Sequence, residues 1–101
     1  MTTPEGEVKS AVKDALQKAG WYEWTVNQFN KRGYRVKSGI SDLIAIREGR
    51  VLFLEIKAGN GKQRPAQAVF QAEIQAHGGE YYVIRSVDEL IAIIEGGKPW
   101  E

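Results

Sequence analysis

The run Gly39-Ile40-Ser41-Asp42-Leu43-Ile44-Ala45-Ile46-Arg47-Glu48-Gly49-Arg50-Val51-Leu52-Phe53-Leu54-Glu55-Ile56-Lys57 holds two short apolar segments separated by Glu48-Gly49. Residues 42–47 and 50–57 have the length and the β-branched and aromatic content of strands. Glu48-Gly49 supplies a tight turn, since glycine tolerates the positive φ that such hairpins require. The spacing therefore predicts an antiparallel pair. Side chains alternate along a strand, so Val51, Phe53, Glu55 and Lys57 share one face while Leu52, Leu54 and Ile56 share the other. Neighbouring charges at the end of an apolar strand are expensive unless they serve each other or a ligand. Asp42 enters the partner strand where it can meet Glu55 across the hairpin, and two converging carboxylates repel until a divalent cation joins them. Asp42, Glu55 and Lys57 can thus hold Mg²⁺ with few protein ligands, with waters and a phosphate oxygen completing the octahedron. Lys57 would orient or deprotonate the attacking water and balance developing charge. A plain surface Glu55–Lys57 ion pair, with Asp42 as a turn residue, is the competing reading, because Glu-x-Lys is a common tripeptide.

Working outward, Thr3-Pro4 followed by Glu5 and Glu7 reads as a helix start, and Val8, Ala11, Val12, Ala15, Leu16 and Ala19 recur at helical spacing before Gly20. This predicts a helix over 4–19. Residues 21–29 (WYEWTVNQF) favour a strand, and 30–41 read as a basic loop with an extended piece around Tyr34–Val36. On the other side, 58–64 (AGNGKQR) is a glycine-rich, positively charged loop. A helix opens near Pro65 and turns Val69, Phe70, Ile74 and His77 inward before Gly78-Gly79. Residues 81–85 form a strand, and Ser86 with Glu89 three residues on is a capping box for a last helix through Leu90, Ile91, Ile93 and Ile94. The order α-β-β-β-α-β-α describes an α/β fold with a small mixed sheet flanked by helices. The expectation is one domain over 1–101.

The 101 residues include no cysteine, which excludes disulfides, a thiolate zinc site and a cysteine nucleophile. One histidine, His77, is too few for a histidine-rich metal site and reads as a core or cap residue. No apolar run approaches the roughly 20 residues of a membrane span and no signal-peptide pattern opens the chain, so an intracellular protein with no membrane partner is expected. Net charge is +1 but unevenly spread: residues 1–30 carry −1, residues 31–64 carry +6 and residues 65–101 carry −4. Anion affinity follows local charge, so the basic middle suits a phosphate-binding face as well as it suits ordinary solvated loops.

Gly39-Ile40-Ser41-Asp42-Leu43, thirteen residues from Asp42 to Glu55-Ile56-Lys57, then Pro65-Ala66-Gln67 opening a helix and Val83-Ile84-Arg85 in the last strand, resembles the virus-type replication-repair nuclease (VRR-NUC) domain. That family belongs to the PD-(D/E)XK phosphodiesterases with a restriction-endonuclease-like core. One departure is visible: Ser41 stands where the family has a proline before its aspartate. The resemblance implies Mg²⁺- or Mn²⁺-dependent cleavage of DNA phosphodiester bonds, often at branched structures, with no nucleotide cofactor. Stand-alone members of viral origin resemble Holliday-junction resolvases and act as dimers, which implies a homodimer and admits a phage-encoded protein acting in a bacterial host. Asp42, Glu55 and the Ile56 backbone carbonyl would hold the metal, Lys57 would serve catalysis, and Gln67 would position the water or a phosphate. The family also places an acid on the first helix, reaching the metal directly or through water; Glu7 matches best, with Glu5 as the alternative. Lys31, Arg32, Arg35, Lys37, Lys62 and Arg64 flank the acids and would grip DNA backbone, with Tyr34 at hand for stacking. Gln63, Gln71 and Gln75 continue the four-residue spacing of Gln67 and read equally as polar surface. Arg85 is a further candidate for the active-site face, and Trp21, Trp24 and Trp100 for interface anchors. The rival readings are a flap-cutting or nicking repair nuclease, a branched-DNA-binding module without catalysis, and an α/β interaction domain.

Overall fold

Thr3 caps the first helix, its Oγ1 accepting from the Gly6 N–H at 2.9 Å, and Pro4 occupies the first turn where its missing N–H costs nothing. The computed structural model describes residues 3–26 and 39–96. Helix α1 (Pro4–Lys18) ends in a Schellman pair of hydrogen bonds, Trp21 N–H to Leu16 O and Gly20 N–H to Gln17 O. Strand β1 (Tyr22–Thr25) follows at once, so the predicted helix and strand are present. Trp21 joins the core, and 27–29 of the predicted strand lie outside the described residues.

Strands β2 (Leu43–Arg47) and β3 (Arg50–Ile56) form the expected antiparallel hairpin. Both turn residues take positive φ, 50° at Glu48 and 81° at Gly49, as a two-residue turn that matches strand twist requires. After helix α2 (Pro65–Ala76), strand β4 (Glu80–Ile84) pairs parallel to β3, and helix α3 (Val87–Glu95) closes the described chain. The sheet order is β1-β2-β3-β4, with β1 and β4 at the edges. Ser86 Oγ accepts from the Glu89 N–H as expected, while the Glu89 carboxylate accepts from the Arg85 N–H rather than from Ser86.

The two sheet faces differ. Leu43, Ala45, Leu52, Leu54 and Ile56 point to a fully buried layer with Val12 and Leu16 of α1, Ile84 of β4 and Leu90 of α3. On the opposite face Phe70 of α2 packs edge-on between Phe53 and Tyr81, centroids 5.8 and 5.9 Å away. Two predicted interior positions of α2 are corrected. Val69 is 59% exposed because it lies about 100° around the helix from Phe70. His77 is also exposed: it follows the last helical residue, where its ring Nδ1 lies 2.7 Å from Glu73 O and it serves as the cap.

A buried ion pair lies at the far end of β3. Arg50 Nε and Nη2 donate to the two Glu80 oxygens at 2.8 and 2.7 Å, and Tyr82 OH donates to the same carboxylate at 2.8 Å. Arg50, counted in the basic middle of the sequence, is therefore committed to the interior. Among the described residues no helix is long and apolar enough to cross a membrane.

Candidate active site

The register of the hairpin carries Asp42 to the position flanking Leu43↔Leu54, opposite Glu55. Asp42 Oδ2 accepts from the Ile56 N–H at 2.7 Å, and the Asp42 carbonyl accepts from the Val26 N–H at 2.9 Å, so this residue is held on both sides. A strand residue sends its N–H and C=O to the same side, which turns the Ile56 carbonyl toward Asp42 as well. Ser41, in the family's proline position, is fully buried and its Oγ donates to Leu43 O at 3.2 Å.

Gly39 fixes where this segment lies. Its φ is +76°, and a Cβ there would stand 2.0 Å from the Ala66 carbonyl oxygen in the first turn of α2. Only glycine allows that approach. The strand leading to Asp42 is thus pinned against the helix carrying Gln67. Gln67 itself is buried, and its Oε1 accepts from the Arg64 N–H at 2.9 Å, closing the start of α2.

Glu55 is fully buried on the α2 face, and its two oxygens have different surroundings. Oε1 accepts from the Tyr81 hydroxyl and from Gln63 Nε2 at 3.3 Å. Oε2 is buried and has no hydrogen bond among the described residues; the Lys57 ammonium forms an ion pair with it at 3.5 Å. The Lys57 side chain is 13% exposed. Burial, then the Glu55 carboxylate, hold the Tyr81 phenol well above its ordinary range, so it remains a donor at every working pH. Among the described residues no group of three or more acids and histidines converges.

Lys57 also lines an open cleft of about 580 Å³ between the start of α1 and the 58–64 loop, with Thr3, Pro4, Glu5, Gly61 and Lys62. Glu5 of the first helix faces this cleft; Glu7 lies further along the same helix, exposed. Arg85 braces the loop, its Nη1 donating to Gly59 O at 2.9 Å and Gly61 O at 2.7 Å. The structure therefore brings together Asp42, Glu55, Ile56 and Lys57, places Lys62 in the adjoining cleft, and leaves Arg64 exposed where α2 starts. Lys31, Arg32, Tyr34, Arg35, Lys37 and Trp100 lie outside the described residues.

Two residues on Glu55 escaped sequence reasoning. Tyr81 reads only as a strand residue, because its partner is set by a parallel register, Phe53↔Tyr81, that no local pattern encodes. Gln63 belongs to the noted glutamine spacing, but it precedes α2 rather than lying on it, and its Nε2 bridges Glu55 and Gln71.

No protein-family model and no curated protein matches the chain. A solved structure described as "VRR_NUC domain" is similar, with a TM-score of 0.71 and 22% identity, covering 93% of this chain and 97% of that one. The element order agrees with the mixed sheet and flanking helices expected of the restriction-endonuclease-like core. At that identity the likeness is one of architecture, and the chain has the fold of a VRR-NUC domain.

Proposed function

We propose that this protein is a metal-dependent endonuclease that hydrolyses phosphodiester bonds in branched DNA, in the manner of a Holliday-junction resolvase. One observation carries the reading: a buried carboxylate oxygen, Glu55 Oε2, has no hydrogen bond among the described residues and is paired only with the Lys57 ammonium, at the strand position opposite Asp42. A buried anionic oxygen short of donors is costly; the Lys57 ammonium at 3.5 Å offsets part of that cost, and a hard divalent cation would offset the rest. The residues fit Mg²⁺ or Mn²⁺. Asp42, Glu55 Oε2 and the Ile56 carbonyl would hold it, with an acid of α1, Glu5 or Glu7, reaching it only through water, since no third acid converges on the pair among the described residues. When bound, the cation supplies Lewis-acid polarisation of a phosphoryl oxygen and a water of lowered pKa.

The chain's own groups do the rest. The Ile56 N–H holds the Asp42 carboxylate in place before substrate arrives. Lys57 orients the attacking water and balances charge on the pentavalent phosphorus. Gln67, its Oε1 held by the Arg64 N–H at the start of α2, would have only its Nε2 left to meet water or phosphate. Lys62, in the adjoining cleft, and Arg64 would grip the backbone beside the scissile bond, and Lys31, Arg32, Arg35 and Lys37, outside the described residues, are proposed as further backbone contacts. Such contacts position without reading sequence, which suits selection by DNA shape. Two cuts related by a two-fold axis call for a symmetric dimer, and the exposed Tyr22 and Trp24 on edge strand β1 offer it a surface.

The test is incubation with flaps, bubbles, splayed arms and four-way junctions in Mg²⁺, Mn²⁺ or EDTA. Asp42→Asn and Glu55→Gln should each lower cleavage by more than about 100-fold, since even indirect supports of a metal site cost about 10–100-fold. Their circular dichroism should match the parent. Activity persisting in EDTA or in both variants would sink the assignment.

A further inference from the structure

We infer that Tyr81 and Gln63 form a clamp that makes Glu55 a one-oxygen ligand and so favours Mg²⁺ or Mn²⁺ over Ca²⁺ at this site. The inference rests on the nuclease reading and adds to it the residues that set metal choice. Both hydrogen-bond donors reach the same oxygen: the Tyr81 hydroxyl and Gln63 Nε2 converge on Oε1, while among the described residues Oε2 meets only the Lys57 ammonium, at 3.5 Å. The terminal torsion of a glutamate is broad, so without a clamp the carboxylate plane is poorly defined. Two donors on one oxygen define it.

The clamp is itself supported from three directions. Tyr81 projects from β4, with its ring packed edge-on against Phe70 at 5.9 Å. Gln63 comes from the 58–64 loop, and its Nε2 also donates to Gln71 Oε1 of α2 at 2.8 Å. Arg85 braces the same loop through the Gly59 and Gly61 carbonyls. The direction of Glu55 is therefore held by groups from β4 and from the 58–64 loop. Mg²⁺ and Mn²⁺ suit single carboxylate oxygens and water in an octahedron, whereas Ca²⁺ favours more ligands and accepts carboxylates through both oxygens. Holding Oε1 in hydrogen bonds withdraws the second oxygen.

Calorimetric titration with Mn²⁺ and, separately, Ca²⁺ tests this on the full chain without DNA. Tyr81→Phe removes only the hydroxyl and should weaken Mn²⁺ binding about tenfold while Ca²⁺ binding falls less, so that the ratio of the two affinities narrows. Gln63→Ala should act in the same direction, less strongly. Phe70→Leu disturbs the aromatic packing but keeps the hydroxyl, and should leave the ratio at the parent value. An unchanged ratio in Tyr81→Phe, or an equal change in Phe70→Leu, would overturn the clamp while leaving the metal site standing. A parent chain whose Mn²⁺ binding is absent, or unaffected by Asp42→Asn, would remove the metal site and the clamp with it.

Discussion

Gly39 and Gly49 have nearly the same φ, +76° and +81°, in opposite surroundings. A Cβ on Gly49 meets nothing within 4 Å, whereas one on Gly39 runs into the Ala66 carbonyl. Gly49→Ala should therefore cost only the left-handed penalty of about 1–2 kcal/mol. Gly39→Ala adds an overpacking cost of about 1–3 kcal/mol and should also lower Mn²⁺ affinity, because the segment carrying Asp42 must move off α2. Urea denaturation of the two variants checks the difference; equal losses would mean that α2 yields freely. Lys57→Ala makes a separate prediction. Cleavage should be lost while Mn²⁺ binding is kept or strengthened, since a cation 3.5 Å from Glu55 is removed. Loss of Mn²⁺ binding with the fold preserved would count against the role given to Lys57.

At the scale of the elements, two side chains join parts distant in sequence. Arg50 and Glu80 tie the start of β3 to the start of β4, with side chains 10% and 1% exposed. Replacing Arg50 by Met removes the counter-charge of the buried Glu80 carboxylate and should cost about 3–5 kcal/mol. The double change Arg50→Met with Glu80→Leu should recover most of that, because apolar groups replace both charges. A thermal melt series on the parent and the two variants reads this directly. Arg85 works at the surface and its effect should be local. Arg85→Met should change global stability by no more than about 1.5 kcal/mol, yet it should speed exchange of the Gly61 amide, which donates to Ala58 O within the braced loop. Unchanged exchange would show that the loop holds its shape unaided.

For the whole molecule, the questions are what grips DNA and what covers β1. Binding to a four-way junction should weaken steeply with salt. The slope should shrink by about 0.9 for each phosphate that Lys62→Ala or Arg64→Ala leaves without its cation. An unchanged slope would place the DNA face away from the cleft. Tyr22 is 71% exposed and Trp24 37%, their rings 5.5 Å apart on an edge strand. Light scattering at micromolar concentration should report a dimer that Trp24→Ser weakens. A strict monomer that still makes paired symmetric cuts would refute the two-fold arrangement.

What the chain encodes locally was legible without its structure. Alternation along 50–57 assigns Glu55 to one face and Leu52, Leu54 and Ile56 to the other, and a two-residue turn fixes the antiparallel register that sets Asp42 opposite Glu55. The caps at Thr3 and Ser86 are equally local. Val69 and His77 misled because helical spacing gives a face but not which side of it the sheet covers. The remaining decisions belong to tertiary structure. The parallel register of β4 on β3 forms only after the chain has crossed over through α2, and it alone brings the Tyr81 hydroxyl to Glu55 and Glu80 within reach of Arg50. The approach of Gly39 to Ala66 likewise joins segments that no short-range pattern relates. Periodicity and turns encode what a residue does with its near neighbours; the partners of a buried charge are chosen by packing across the whole core, because only there is the cost of leaving it unpaired incurred.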